Sequence, residues 1–419
     1  MKFAIGRTVI GLSVNGSALA DCVTVAVLAP VYPPAFRGGG PARTLEALTG
    51  AAPVRFSARV FTPDRDMGDP ARLPVTSNAW SDTKFTPTYF ASVDSLAGLI
   101  RMYAQVRRFK PDVVYLNSLF NLKFAILPRI LVAVRYWQPV ALLHAPRGEL
   151  DPGALRIRSR KKRAFLGIYR ALRLERGTIW HASSQAESAA IERVWGDRVQ
   201  VLIRENETSL PQTAIEPEPH AGPLRAIFVS RLSAKKGLLT ALQALQHVTS
   251  SVDFDVFGPE EDPTYVAACR RAAVGVPAQV TVRFCGPLSP QVVRETMAGY
   301  DVMIFPTAGE NFGHVIAESL SASCPVATTD TTPWSNILRL GGGEVIYPSS
   351  VESWSAAIER LASLSVDERH GLRVAAGGAY VRWRSRRSEP HIFELLSDHL
   401  ERSMYALASE PAVGHALED

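Results

Sequence analysis

The chain has 419 residues, of which 47% are hydrophobic and 21% charged, with a formal net charge of +6. That length exceeds one ordinary hydrophobic core, so two domains are expected. A charge this modest does not argue for a nucleic-acid partner.

Lys2 and Arg7 precede an apolar-to-small run ending Ser17-Ala18-Leu19-Ala20, which faintly resembles a signal peptide. Thr8, Ser13, Asn15 and Ser17 weaken its apolar stretch, so residues 1–21 are expected to form an N-terminal extension. The four cysteines, Cys22, Cys269, Cys285 and Cys324, are scattered without a C-x-x-C pair. That usage suits a reducing compartment and argues against a disulfide framework or a zinc site. No apolar run reaches the roughly 18 residues a transmembrane helix needs.

From Val23 to Leu28 the chain reads V-T-V-A-V-L, a first parallel strand. It runs through Pro30 and Tyr32 into Gly38-Gly39-Gly40-Pro41 and then a helix carrying Leu45 and Leu48. Strand, glycine loop and helix form the layout in which backbone N–H groups approach a phosphate or sugar closely. The spacing is not G-x-G-x-x-G, so no dinucleotide fingerprint is present, and a plain flexible loop is the competing reading.

Further strand-like runs follow at 54–56, 59–61, 113–116 and 140–143. The last delivers His144, Arg147 and Glu149 at its carboxyl end, where ligands of open α/β sheets bind. For His144 alone, a satisfied strand-end histidine is the favoured reading. Residues 156–176 are the most basic segment, with nine Lys/Arg interleaved with Phe165, Leu166, Ile168, Tyr169 and Leu172. A basic amphipathic helix lies on anionic lipid or binds a charged acceptor, unless it is simply a solvated face. Ile179 to Ala182 forms another strand, followed by a helix start carrying Glu187.

Residues 207–223, E-T-S-L-P-Q-T-A-I-E-P-E-P-H-A-G-P, have linker composition and divide a first domain (22–206) from a second (224–388). The α/β alternation then restarts with a strand at 226–229, a loop carrying Arg231 and Lys236, and a helix from Leu238 to Val248. Strands at 254–257 and 280–284 end in Gly258 and Gly286.

The run Val302 to Phe305 is a short buried strand, broken by Pro306, Thr307 and Gly309. A helical pattern opens near Gly313 and is stopped by Pro325, and 325–328 reads as a last strand. Glu310 falls on the loop and Glu318 inside the helix. A helix N-terminus after a strand favours an anion; carboxylates beside it suit a ligand with hydroxyls as well, such as a nucleotide sugar. Arg231, Lys236, Glu310 and Glu318 share one sheet edge by strand-end geometry, where plain salt bridges compete with the reading that they hold a diphosphate and a sugar. A final helix over 389–408 is expected to cross back onto the first domain, with a loose tail over 409–419.

With Ser230-Arg231-Leu232, Lys236-Gly237, Glu310-Asn311-Phe312-Gly313 through Glu318, and Cys324-Pro325-Val326, the chain resembles the family 4 retaining glycosyltransferases of the GT-B fold. The likeness spans most of residues 22–405, and Gly38-Gly39-Gly40-Pro41 and His144 stand where that family keeps its glycine loop and active-site histidine. The wording of 309–320, of 330–334 and of 145–155 is similar to the bacterial branch that builds cell-surface polysaccharides.

The resemblance implies an α/β fold of two Rossmann-like doubly wound domains facing across a cleft. It implies a hexose moved with retention from a GDP- or UDP-sugar to a saccharide acceptor, lipid-linked, by a cytoplasmic enzyme at the inner face of the membrane. The nucleotide sugar is a co-substrate, and neither cofactor nor metal is expected.

By the same resemblance, Arg231 and Lys236 hold the donor diphosphate, and Glu310 positions the sugar with help from the backbone of Asn311, Phe312 and Gly313. Glu318 meets the ribose, His144 the sugar, and Gly258 and Gly286 belong to the donor site. Gly38, Gly39, Gly40 and Arg147 belong to the phosphate and acceptor loop. Two departures stand out: Arg204-Glu205-Asn206-Glu207 replaces the usual P-N-G hinge, and Ala145-Pro146 replaces an acidic residue after the histidine. A GT-B enzyme with a small soluble acceptor, a nucleotide-sugar epimerase and a non-catalytic saccharide-binding protein are the alternatives.

Overall fold

A computed structural model describes residues 22–84, 86–156, 159–386 and 390–409. The expectations for the 1–21 extension, for Arg158 of the basic segment, for the boundary at 388/389 and for the tail after Ser409 lie outside these residues. The chain divides into two compact units, one comprising the chain up to Thr208 together with the part from Pro390, the other Ser209–Glu389.

The sheet of the first unit contains β1 (Val23–Leu28), β2 (Phe56–Pro63), β3 (Ala79–Asp82), β4 (Pro87–Ala91), β5 (Val113–Asn117), β6 (Ala141–Ala145), β7 (Thr178–Ala182) and β8 (Gln200–Ile203). Their spatial order is β3-β4-β2-β1-β5-β6-β7-β8, and every pairing is parallel except β3 with β4. Strand residues alternate between two cores, as pleating requires. Val23, Val25 and Val27 enter one cluster, and Ala26 and Leu28 the other.

The sheet of the second unit is wholly parallel: β9 (Leu224–Val229), β10 (Val252–Phe257), β11 (Val280–Gly286), β12 (Val302–Phe305), β13 (Val326–Thr329) and β14 (Gly343–Ile346), in the order β11-β10-β9-β12-β13-β14. The chain winds to one side of β1 before returning at β5, and to one side of β9 before returning at β12. Each sheet therefore has one switch point, β1/β5 and β9/β12, where loops from opposite windings diverge and leave a crevice.

Several elements differ from expectation. The runs at 54–56 and 59–61 are one strand, β2, and Val54 lies outside it in full exposure. β3, β4, β8 and β14 were not read, and 325–328 is followed by a further strand rather than ending the sheet. β3, β8 and β14 lie at sheet edges and are half-exposed, so they lack the apolar runs that mark buried parallel strands.

The polar stretch 207–223, expected to be a linker, lies along the second unit from Leu210 on. Ile215 N–H donates to the Ser321 carbonyl (2.9 Å), and Tyr380 Oη donates to the Pro211 carbonyl (2.5 Å). Arg373 reaches the Glu218 carbonyl (2.7 Å) and Arg369 the Gly222 carbonyl (3.0 Å). The stretch forms neither helix nor strand, so several of its carbonyls are met by side chains.

The helix Ile392–Ser409 packs on the first unit as expected, burying Ile392, Phe393 and Leu396 against β1, β2 and β5 residues. The Phe393 ring lies 5.5 Å from Phe56 and 6.0 Å from Tyr115, centre to centre. Phe393→Ala should therefore cost the first unit about 3–5 kcal/mol, measured as a lowered urea midpoint for that unit's transition. An unchanged midpoint would mean that the helix contributes nothing to the first core.

Candidate active site

The β9/β12 switch point brings together two of the residues singled out by sequence. Lys236 closes a 3-10 turn, Ala234–Lys236, after β9. The next residue, Gly237, has φ 78°, and a Cβ there would sit 1.9 Å from the Pro306 carbonyl oxygen. Only glycine lets the loop after β9 lie against the loop after β12 this closely.

Across that contact Ala308 N–H donates to the Lys235 carbonyl (2.8 Å). Lys236 Nζ then meets Glu310 Oε1 at 2.6 Å, with each side chain only 12% exposed. Thr307 Oγ1 donates to the same oxygen (3.1 Å). Burial lowers the Lys236 pKa more than Glu310 raises it, and Arg231 and Lys235 add to the lowering.

Arg231 lies on the same loop, half-exposed, and bonds Glu261 of the β10 loop at 2.7 Å. Both cations expected to hold a diphosphate are therefore paired with carboxylates. Glu261 was not read from the sequence; nothing marks it locally, since only the pairing of β9 with β10 brings it beside Arg231.

Gly258 and Gly286 act through the backbone. A Cβ on Gly258 would fall 1.7 Å from the Ser230 carbonyl oxygen, and its N–H donates to the Gly286 carbonyl (2.9 Å). Gly313, at φ 81°, opens the helix His314–Ser321 with no side-chain cap. Asn311 is half-buried in the same loop, and Glu318 is buried on the helix. The Phe312 ring packs with His314, Trp334 and Trp383 in the core, and its carbonyl accepts Trp334 Nε1 (2.5 Å).

In the first unit the loop before the helix Gly40–Gly50 is fixed rather than slack. The buried Asp66 carboxylate accepts Phe36 N–H (2.9 Å) and Arg37 N–H (3.0 Å). Gly38 lies against Val31, where a Cβ would approach to 2.7 Å, and Gly39 adopts φ 62°. Gly38, Gly39 and Gly40 are half-exposed, and the helix start has no side-chain cap.

His144 and Arg147 are placed differently from what the resemblance implies. The His144 ring is fully buried, stacked on Trp180 at 5.0 Å, with Nε2 2.8 Å from the Ser118 carbonyl and Nδ1 without a hydrogen-bond partner. Burial depresses its pKa to about 4, so it is a neutral core group. Arg147 bonds Asn117 Oδ1 (2.9 Å), Tyr115 Oη (2.7 Å) and Asn206 Oδ1. It ties the strand edge to the 204–207 segment instead of presenting a free fork to a ligand. Glu149 accepts Ser118 Oγ (2.8 Å) and Phe120 N–H (3.0 Å), which fixes the loop after β5.

Residues 223–363 match the family described as "Glycosyl transferases group 1". No curated protein matches the chain.

Among solved structures, HepE of Anabaena, determined with UDP and glucose, is 17% identical over 92% of this chain and 99% of its own, with a TM-score of 0.64. Sucrose-phosphate synthase of Thermosynechococcus elongatus is 15% identical over 92% of this chain and 100% of its own, at 0.68. WaaG, a glycosyltransferase involved in lipopolysaccharide biosynthesis, is 17% identical over 90% and 99%, at 0.58. These likenesses show the fold, which is GT-B: two sheets of mostly parallel strands. Among the described residues no helix is long and apolar enough to cross a membrane.

A depressed histidine pKa carries a sign. Folded His144 resists protonation while the unfolded chain binds a proton near pH 6.5, so its contribution to stability is lost as pH falls from there towards 4. The NMR titration of its imidazole should show a midpoint near pH 4. A midpoint at the ordinary value would mean the ring meets solvent.

Proposed function

We propose that this protein is a retaining glycosyltransferase that moves a hexose from a GDP- or UDP-sugar to a saccharide acceptor, lipid-linked, in cell-surface polysaccharide assembly. The observation that carries the reading is the Lys236–Glu310 pair at the β9/β12 switch point, 2.6 Å apart and nearly buried. A sugar diphosphate offers each member a replacement partner, phosphate oxygen for the ammonium and sugar hydroxyl for the carboxylate. A simple anion would satisfy Lys236 and strand Glu310. The match of residues 223–363 to the group 1 glycosyl transferases supports the same reading.

In the proposed reaction the bond between the anomeric carbon and the diphosphate oxygen breaks. The acceptor hydroxyl forms its bond on the same face and passes its proton to the departing diphosphate. Lys236 and Arg231 stabilise the charge that grows on the leaving group, which fixed cations in a low-dielectric site do without reorganisation. Glu310 orients the sugar, Glu318 accepts from the ribose, and the backbone of Asn311 and Gly313 assists. Two cations on the diphosphate make the transfer independent of metal in this proposal.

The helix Ser159–Ala171 and the residues after it supply a surface for the lipid side of the reaction. Arg160, Lys161, Arg163, Arg170 and Arg173 are exposed, and so are Ile168 and Leu172, each at 60%. Tyr169 and Leu174 instead face the core. Exposed aliphatics among cations fit the boundary of an anionic bilayer, which would place the enzyme at the inner face of the membrane.

Lys236→Ala should keep the fold and lower transfer by at least about a hundredfold, read from release of the nucleoside diphosphate, while a chelator leaves the wild-type rate unchanged. Near-normal turnover of the variant would remove Lys236 from the mechanism, and loss of activity with chelator would remove the metal-free proposal. Co-sedimentation with anionic vesicles should fall as salt rises through about 0.15 M and fall further in a Lys161→Glu, Arg163→Glu variant. Binding indifferent to both would mean that this helix is only a solvated face.

A further inference from the structure

The stretch Asp330-Thr331-Thr332-Pro333-Trp334 follows β13, and no step of the proposed reaction uses it. It belongs wholly to the second unit and lies against the loop that carries Glu310.

Two kinds of contact hold that loop. The Glu310 carboxylate meets Lys236 Nζ (2.6 Å) and Thr307 Oγ1 (3.1 Å). In the proposed reaction Lys236 turns to the diphosphate, so its share of the hold is given up when the donor binds. The remaining ties run through the backbone on either side of the carboxylate. Glu310 N–H donates to the Thr331 carbonyl (3.3 Å), and Trp334 Nε1–H donates to the Phe312 carbonyl (2.5 Å). None of these atoms has a part in holding the donor, so both ties persist after it binds.

The far side of each tie is itself fixed. Thr331 Oγ1 lies 2.7 Å from Thr329 Oγ1 and 3.2 Å from the Thr307 carbonyl, which also accepts Thr329 Oγ1–H (2.6 Å). Thr329 is the last residue of β13, so these hydroxyls hang the Thr307–Glu310 turn from the sheet. Thr331 closes the turn: its hydroxyl reaches residue 307 and its carbonyl holds residue 310. Trp334 is buried, with its ring packed on Phe312 (5.7 Å) and Trp383 (4.7 Å), which keeps the indole N–H aimed at the Phe312 carbonyl. Ties at 310 and at 312 together set the direction of the Glu310 side chain and the peptide units that follow it.

We infer that Thr331 and Trp334 are positioning residues for the transferred sugar: they template the 310–313 loop, so that the Glu310 carboxylate keeps its place once Lys236 has left it. The inference rests on the glycosyltransferase reading for the sugar, and on the hydrogen bonds for the template. It assigns both residues to the sugar end of the donor and not to the nucleotide end.

Calorimetric titration of the full chain with UDP, UDP-glucose, UDP-galactose, GDP and GDP-mannose tests it in three variants. Trp334→Phe keeps a ring and loses the N–H, and Thr331→Val loses the hydroxyl that Thr331→Ser keeps. For a nucleotide sugar that the wild type binds, Trp334→Phe and Thr331→Val should each weaken binding about fivefold and leave the parent diphosphate within about twofold. Thr331→Ser should match the wild type. In a Glu310→Ala background the same two changes should weaken the nucleotide sugar no further, because residues that act through one group are not additive. Thr331 is exposed, so Thr331→Val against Thr331→Ser decides the matter even where Trp334→Phe does not fold.

Nucleotide sugars bound equally by the wild type, Trp334→Phe and Thr331→Val overturn the positioning role and leave the donor reading standing. So does a loss that adds to that of Glu310→Ala or that strikes the parent diphosphate equally, since the stretch would then only support the fold. If the wild type binds none of the nucleotide sugars, the transferase reading falls and the positioning role falls with it.

Discussion

The close approach of two loops governs the second unit. With Gly237 against the Pro306 carbonyl, the segments after β9 and β12 share hydrogen bonds and hold Lys236 and Glu310 at bonding distance. A cation and a carboxylate this far out of water are costly to leave alone. Bonded to each other they form a stable resting state. In the proposed reading, a ligand with phosphate at one end and hydroxyls at the other would exchange one complete set of partners for another and strand neither charge. A methyl group at residue 237 would force these loops apart and remove the pair from register, although it touches neither charge.

That stretch was legible in the sequence because each signal there is local. Val302 to Phe305 is a continuous apolar run, Gly309 and Gly313 mark positive φ, and the helix follows at once. Local signals also gave β1, β5, β7 and β9, all buried strands with apolar runs. The edge strands β3, β8 and β14 escaped for the opposite reason: polar and half-exposed residues such as Ser81 and Glu344 leave no apolar run to read.

The first unit's site was less legible because its chemistry depends on strand order. His144 ends a strand, which places it at the ligand edge by rule. Which way its ring turns depends on Trp180 and on the Ser118 carbonyl, both distant in sequence. Arg147 likewise looks like an anion-binding arginine until Tyr115, Asn117 and Asn206 are seen to occupy it.

The net charge is also explained by placement. Many arginines serve as internal fasteners rather than as surface field. Arg129 bonds the carbonyls of Leu174 and Arg176, Arg294 those of Thr213 and Ser321, and Arg369 and Arg373 those of the 218–223 stretch. Guanidinium suits this work, since its several donors can meet more than one carbonyl at once. The exposed cations of 160–173 are one surface group among others, since Arg101, Arg107, Arg108 and Lys110 are exposed as well.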